Sequence, residues 1–476
     1  MKILTLLSAL ALSLIASAAK QPNFIVIFTD DQGYGDLACF GGTSLSTPHI
    51  DQMAKEGARL TSFYVAAPVC TPSRASLMTG CYPQRIDMGT GSKFPVLLAG
   101  DAKGLNPEER TIAEVLKSAG YKTAMFGKWH LGDQPEFLPT RQGFDEFFGI
   151  PYSHDIHPFH PSQKKFKFPP LPLLEGEKVI ELDPDADYLT KRFTDRAVEF
   201  IEKNKDEPFF LYLPHPLPHV PLHASPPFLQ DTPKKLTEAL SKEKGIDYKL
   251  REKLFKECIA EIDWSVGQIL DTLKAQGIDD NTLVIFSSDN GAGRYATNPS
   301  THNHSGPLTG MKGSTFEGGM RVPTVIRWPG TIPAGKDNDA LMTTMDLLPT
   351  FAHLAGASVP QDRVIDGLDV SSVLIQHTES PHKVFFYHKV NDLQAVRSGK
   401  WKLHVPTKSR NKKGKETISK PALYNLETDI GETQNLIDQH PEIAQRLKNY
   451  ITEFQTELAT NSRPAATVKN PKILTK

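Results

Sequence analysis

Asn23-Phe24-Ile25-Val26-Ile27-Phe28-Thr29 is an apolar run of β-branched and aromatic residues that stops at Asp30-Asp31. Thr282-Leu283-Val284-Ile285-Phe286-Ser287 has the same make-up and runs into Asp289-Asn290. A strand with one wet face alternates polar and apolar side chains, whereas a short continuous apolar run reads as a strand buried on both faces. Helical patterns lie between the two runs. Asn106 is a candidate N-cap with Pro107 at the first helical position; Ile112, Val115, Leu116 and Ala119 then share one face and Gly120 ends it. Residues 186–204 and 250–275 carry similar periodicity. Such alternation argues for an α/β domain with a mostly parallel central sheet, extending to residue 375.

The pattern changes after that. Val384–His388, Leu393–Arg397 and Lys400–His404 are short alternating runs separated by turn residues such as Ser398-Gly399, the signature of an antiparallel sheet. With a helix expected at about 441–459, residues 376–460 read as a smaller C-terminal α+β domain, and 461–476 as a disordered tail. At the other end, Lys2, the apolar stretch Ile3–Ile15 and Ala16-Ser17-Ala18 form a signal-peptide pattern over residues 1–19. The expected location is periplasmic or secreted, with no membrane span elsewhere.

The chain has 476 residues, with 54 Lys+Arg against 55 Asp+Glu for a net charge of −1. That balance gives no reason to expect a nucleic-acid partner. The apolar fraction is ordinary for a globular protein, and only Pro, 37 residues, is raised. The four cysteines, Cys39, Cys70, Cys81 and Cys258, allow three complete pairings, which sequence leaves open.

Ligands of open α/β sheets collect beyond the carboxyl ends of the strands. Asp30, Asp31, Asp289 and Asn290 therefore converge as an all-oxygen set, suited to Ca²⁺ or Mg²⁺ rather than zinc. Cys70-Thr71-Pro72-Ser73-Arg74 reads as the start of a helix, with Thr71 as cap and Cys70 just ahead of the N-terminus, where an anion is favoured. Arg74 is placed to fork onto an oxyanion.

Cys70-Thr71-Pro72-Ser73-Arg74 with Leu77-Met78-Thr79-Gly80 resembles the first signature of the type I sulfatases, arylsulfatase A-like, in which the cysteine becomes formylglycine. Gly120–Gly132 resembles the second signature, with Phe126 bulkier than the family's usual small residue. Asp30–Gly33, Pro218–Pro221, Ser288–Gly291, Lys312–Pro323 and Leu423–Asp429 are similar to further family segments, so the likeness covers about residues 22–440. It implies an alkaline-phosphatase-like large domain and hydrolysis of a sulfate ester, on a sulfated carbohydrate or polysaccharide. It also implies calcium held by Asp30, Asp31, Asp289 and Asn290 together with modified Cys70, and a formylglycine-generating enzyme as maturation partner. Arg74 and Lys128 would hold the hydrated aldehyde and its charge. Lys312 and His219 would grip sulfate and protonate the leaving group, and His130 would take the proton from the second hydroxyl. Among His215, His219 and His223, spacing alone favours none; the family-like Pro-His-Val-Pro selects His219. Glu317 and Arg321 read as structural.

Two further features point to substrate. The insert 153–172 carries His154, His157, His160 and three lysines, and His154, His157 and His215 are candidate substrate contacts. Residues 397–420 hold nine Lys or Arg, a candidate patch for a polyanionic glycan. Phosphomonoester or phosphonate-ester hydrolysis is the alternative chemistry for this architecture.

Overall fold

The computed structural model describes residues 20–229, 248–293, 303–410 and 416–476. The expected signal peptide, and Lys412, Lys413 and Lys415 of the basic stretch, lie outside them.

Ten strands make the large sheet: β1 (Asn23–Thr29), β2 (Ala58–Leu60), β3 (Lys122–Lys128), β4 (Glu146–Ile150), β5 (Pro172–Glu175), β6 (Lys178–Leu182), β7 (Phe209–Pro214), β8 (Thr282–Ser288), β9 (Val325–Arg327) and β10 (Lys336–Asn338). Their order is β10-β2-β9-β8-β1-β7-β3-β4-β5-β6. The central run from β8 to β4 is parallel, and antiparallel pairs flank it. β1 lies in the middle and is buried at every residue. Phe24, Val26 and Phe28 pack on one face with Ile112 and Leu116 of helix Ile112–Ser118 and Phe351 of helix Leu347–Ala355. Ile25 and Ile27 pack on the other with helices Leu189–Lys203 and Tyr248–Ala275. Each large apolar side chain so buried contributes roughly 1.5–3 kcal/mol, which is why polar alternation is missing from this strand.

Helix Ile112–Ser118 starts later than expected. Thr111 caps it in a reciprocal box with Glu114, while Asn106 accepts a hydrogen bond from Glu108 N (3.0 Å) and turns the chain ahead of it.

The C-terminal sheet has four antiparallel strands, Phe385–Lys389, Asp392–Ser398, Trp401–His404 and Ala422–Asn425, with helix Pro441–Asn461 beside it. Two expectations are corrected here. The tail after residue 461 is not loose: Ala466–Thr467 pairs with Lys103–Gly104, and Arg463 meets Glu109, 2% exposed, at 2.7 and 2.9 Å. A polar tail of this composition becomes ordered because the large domain presents a short strand edge and a buried carboxylate that Arg363 alone approaches only to 3.6 Å. The basic stretch is not one surface patch either. Lys402 is buried between Glu317 and Glu432, Arg397 is buried against the Tyr64 hydroxyl, and Lys400 pairs with Glu427.

Candidate active site

Strand register builds the site. Thr29 lies beside Ser288, so Asp30 and Asp289 leave adjacent strands side by side. β3 ends at Lys128, two strands away through β7, and the Lys128 ammonium reaches Asp30 Oδ2. Helix Cys70–Thr79 arrives beneath this edge and is buried throughout. Its Arg74 donates to Asp289 Oδ2 from Nε (3.0 Å) and to the Lys128 carbonyl from Nη1 (3.2 Å), and its Nη2 forms an ion pair with the same Asp289 oxygen at 2.8 Å. Lys312 binds both oxygens of Asp31 (2.7 and 2.9 Å), and Asn290 Nδ2 donates to Asp31 Oδ1 (2.7 Å). Asp31 takes the left-handed conformation (φ 69°), which turns its carboxylate away from the strand line and toward Lys312 and Asn290.

Burial alone would raise the Asp30 pKa, but Lys128, His219, Arg74 and Lys312 together hold it well below the ordinary range. Burial and the neighbouring Asp30 charge push Asp289 up to about 6. Three buried carboxylates crowd together, and the cations of Arg74, Lys128 and Lys312 surround them. The Asp30 Oδ1 and Asn290 Oδ1 atoms are buried with no hydrogen-bond partner among the described residues. Cys70 Sγ lies within 4.8 Å of carboxylate oxygens of Asp30 and Asp289. Cys70 is itself the first residue of its helix, capped by no side chain; Thr71 accepts from Leu97 N (3.2 Å) instead of capping. Burial pushes the Cys70 thiol up to about 12.

The histidines divide. His219 Nε2 is 3.7 Å from Asp31 Oδ2, and its Nδ1 pairs with the Val220 carbonyl at 2.6 Å. A carbonyl only accepts, so Nδ1 carries the hydrogen and Nε2 faces the site. His130, also left-handed (φ 65°), donates from Nε2 to the Leu97 carbonyl (2.9 Å), leaving buried Nδ1 as its lone-pair atom. Burial and Lys128 hold His130 neutral, well below its ordinary pKa. His154 is buried 5.7 Å from the His219 ring, while His157 is farther out and accepts from Phe159 N. His215 does not join them. It is fully buried and pairs with Ser265 Oγ at 3.0 Å, because it continues directly from buried β7. Its role as a substrate contact is withdrawn.

Two participants escaped the sequence reading. Tyr212 sets its hydroxyl 3.5 Å from Arg74 Nη1, and although burial would raise the Asp155 carboxyl, His219, His154 and Lys128 hold it well below its ordinary range. Asp155 lies in the insert 153–172, next to His154; Tyr212 gave no signal, since it reads as one more apolar strand residue. The four cysteines are all free thiols. Glu317 is buried and accepts hydrogen bonds from Tyr64, Tyr387 and Lys402.

The family model described as Sulfatase matches residues 22–357, and that of the C-terminal region of aryl-sulfatase matches 380–474. The chain belongs to the sulfatase family. Human arylsulfatase A is 36% identical, over 97% of this chain and 93% of its own. Dog N-acetylgalactosamine-6-sulfatase is 38% identical, over 85% and 76%. The crystal structure of Ps i-CgsB in complex with k-i-k-neocarrahexaose superposes with a TM-score of 0.75 at 32% identity, covering 93% of this chain and 94% of that one. This sulfatase is a sulfuric ester hydrolase, and its large domain has the alkaline-phosphatase-like architecture expected.

Proposed function

We propose that this sulfatase removes sulfate from a sulfated carbohydrate, using a formylglycine made from Cys70 and a calcium ion. The observation that carries the reading is the setting of Cys70: first residue of a helix, buried, and beside both the paired carboxylates and the charges of Lys128 and Lys312. Burial raises this thiol and so disfavours the thiolate that direct attack would need. That favours conversion to another group.

The donor set fits a hard cation. Asp30, Asp31, Asp289 and Asn290 offer oxygen ligands, and two of those oxygens have no hydrogen-bond partner among the described residues. These residues, with modified Cys70, would hold the ion, which when bound supplies positive charge to sulfate oxygens and acidity to a nearby hydroxyl. The hydrated aldehyde would supply that hydroxyl. Arg74 and Lys128 orient residue 70 and stabilise negative charge beside it. Lys312 takes sulfate oxygens. His219 holds a proton at Nε2 for the leaving oxygen, and neutral His130 accepts one at Nδ1. His154 and His157 line the substrate side. Support for a carbohydrate comes from the relatives, one acting on N-acetylgalactosamine 6-sulfate by name and one crystallised with neocarrahexaose. The signal-peptide pattern favours work in the periplasm or outside the cell, after maturation by a formylglycine-generating enzyme; among the described residues no helix is long and apolar enough to cross a membrane.

The test is the mass of the peptide containing residue 70, taken with sulfate release by native protein and by Cys70→Ala. A formylglycine mass, and loss of release in the variant, are expected. A wholly unmodified thiol in an active preparation refutes the mechanism.

A further inference from the structure

We infer that the loop 88–98 and the insert 156–170 together form a subsite for a second sugar of a sulfated oligosaccharide, beside the one that loses sulfate; this rests on the carbohydrate reading above. Both segments are rooted in the catalytic centre. Leu97 accepts from His130 through its carbonyl and donates to Thr71 through its N–H, three residues after Phe94. The insert leaves from His154, whose ring lies against His219. The two meet over the rim, where Phe94 and Phe166 pack edge to face (5.4 Å) and the Lys165 ammonium lies 4.9 Å from the Phe166 ring centre. Phe159, at 61% exposure, is the second most exposed of the large apolar side chains among the described residues.

Charge identifies the occupant. Residues 88–98 and 156–170 contain Lys93, Lys164, Lys165 and Lys167 and no Asp or Glu, in a chain whose net charge is −1. All four lysines are exposed. An exposed aromatic surface beside ammonium groups that have no carboxylate partner among the described residues matches a pyranose, which offers a C–H face to a ring and anionic sulfates at its edge. A small aryl sulfate fills only the catalytic centre and has nothing to place there.

The test compares kcat/KM for sulfated galactan and glycosaminoglycan tetrasaccharides with kcat/KM for their sulfated monosaccharides. Native protein is set against Phe159→Ala and the double variant Lys164→Ala/Lys165→Ala, all at exposed positions. The expected result is a fall of about tenfold in the tetrasaccharide-to-monosaccharide ratio, carried by KM, with the lysine variant also losing salt dependence. A ratio that stays within twofold while native protein desulfates the tetrasaccharides overturns the subsite and leaves the carbohydrate reading standing. Hydrolysis of an aryl sulfate with no release from any saccharide overturns both.

Discussion

Replacing Lys402 with Met tests how the two domains hold the site. Lys402 Nζ lies 2.9 Å from Glu317 Oε1 and 2.9 Å from Glu432 Oε1, with all three side chains fully buried. Met keeps the length and loses the charge, leaving two buried carboxylates short of a cation. Removing one partner of a buried ion pair costs about 3–5 kcal/mol, and the upper half of that range applies because one ammonium serves two acids. The remaining donors, Tyr64, Tyr387 and His404, keep the loss from going further. Burial would raise Glu317, but Lys402, Arg321 and Arg397 hold it well below its ordinary value of 4.5. A depressed carboxylate stabilises above the unfolded value and loses that contribution as pH falls, so the gap between native and variant narrows below pH about 4.5. Glu317 N also donates to Glu432 (2.6 Å), five residues beyond Lys312, so kcat falls with stability. The assay is guanidinium unfolding followed by tryptophan fluorescence at pH 7 and pH 4. A variant within about 1 kcal/mol of native protein at pH 7 refutes the reasoning.

Chelation of divalent cations abolishes sulfate ester hydrolysis and lowers the thermal midpoint, and added Ca²⁺ restores both; Asn290→Ala raises the calcium needed for half-maximal activity about tenfold or more. Activity that survives exhaustive chelation refutes the cation assignment. Burial raises Glu261 to about 7, so its folded pKa exceeds the unfolded value of 4.5. Such an acid costs nothing below pH 4.5 and up to about 3 kcal/mol once pH passes 7. Glu261→Gln therefore stabilises at pH 8 and is neutral at pH 4, read from denaturant midpoints; equal effects at the two pH values contradict the linkage. Deleting residues 462–476 strips Arg463 from buried Glu109 and removes the short strand pair, at a cost of about 2–4 kcal/mol. Proteolytic loss of this tail with no change in unfolding midpoint would show the contact to be idle.

Much of the site was legible locally because its residues lie at strand and helix ends. Asp30-Asp31 and Asp289-Asn290 end runs whose continuous apolar character marks burial on both faces, and parallel strands bring their carboxyl ends to one edge. Lys128 and His130 share one such end with two-residue spacing. Helix caps were less legible, because Asn106 is taken by the nearby Glu108 N–H and Thr71 by Leu97 N–H from a loop distant in sequence.

Local pattern is enough for the α/β class, the strand ends that carry the acids, and the family whose motif surrounds Cys70. Period and motif are short-range properties, so they survive without knowledge of distant partners. Tertiary structure decided the rest. His215, His219 and His223 are equally spaced on one loop, yet only packing turns His215 under helix Tyr248–Ala275 toward Ser265 and leaves His219 facing Asp31. Lys402 and Arg397 read as surface charge until Glu317 and Glu432, distant in sequence, enclose them. The environment of a long polar side chain is set by whichever distant residue meets it, and a linear pattern carries no record of that meeting.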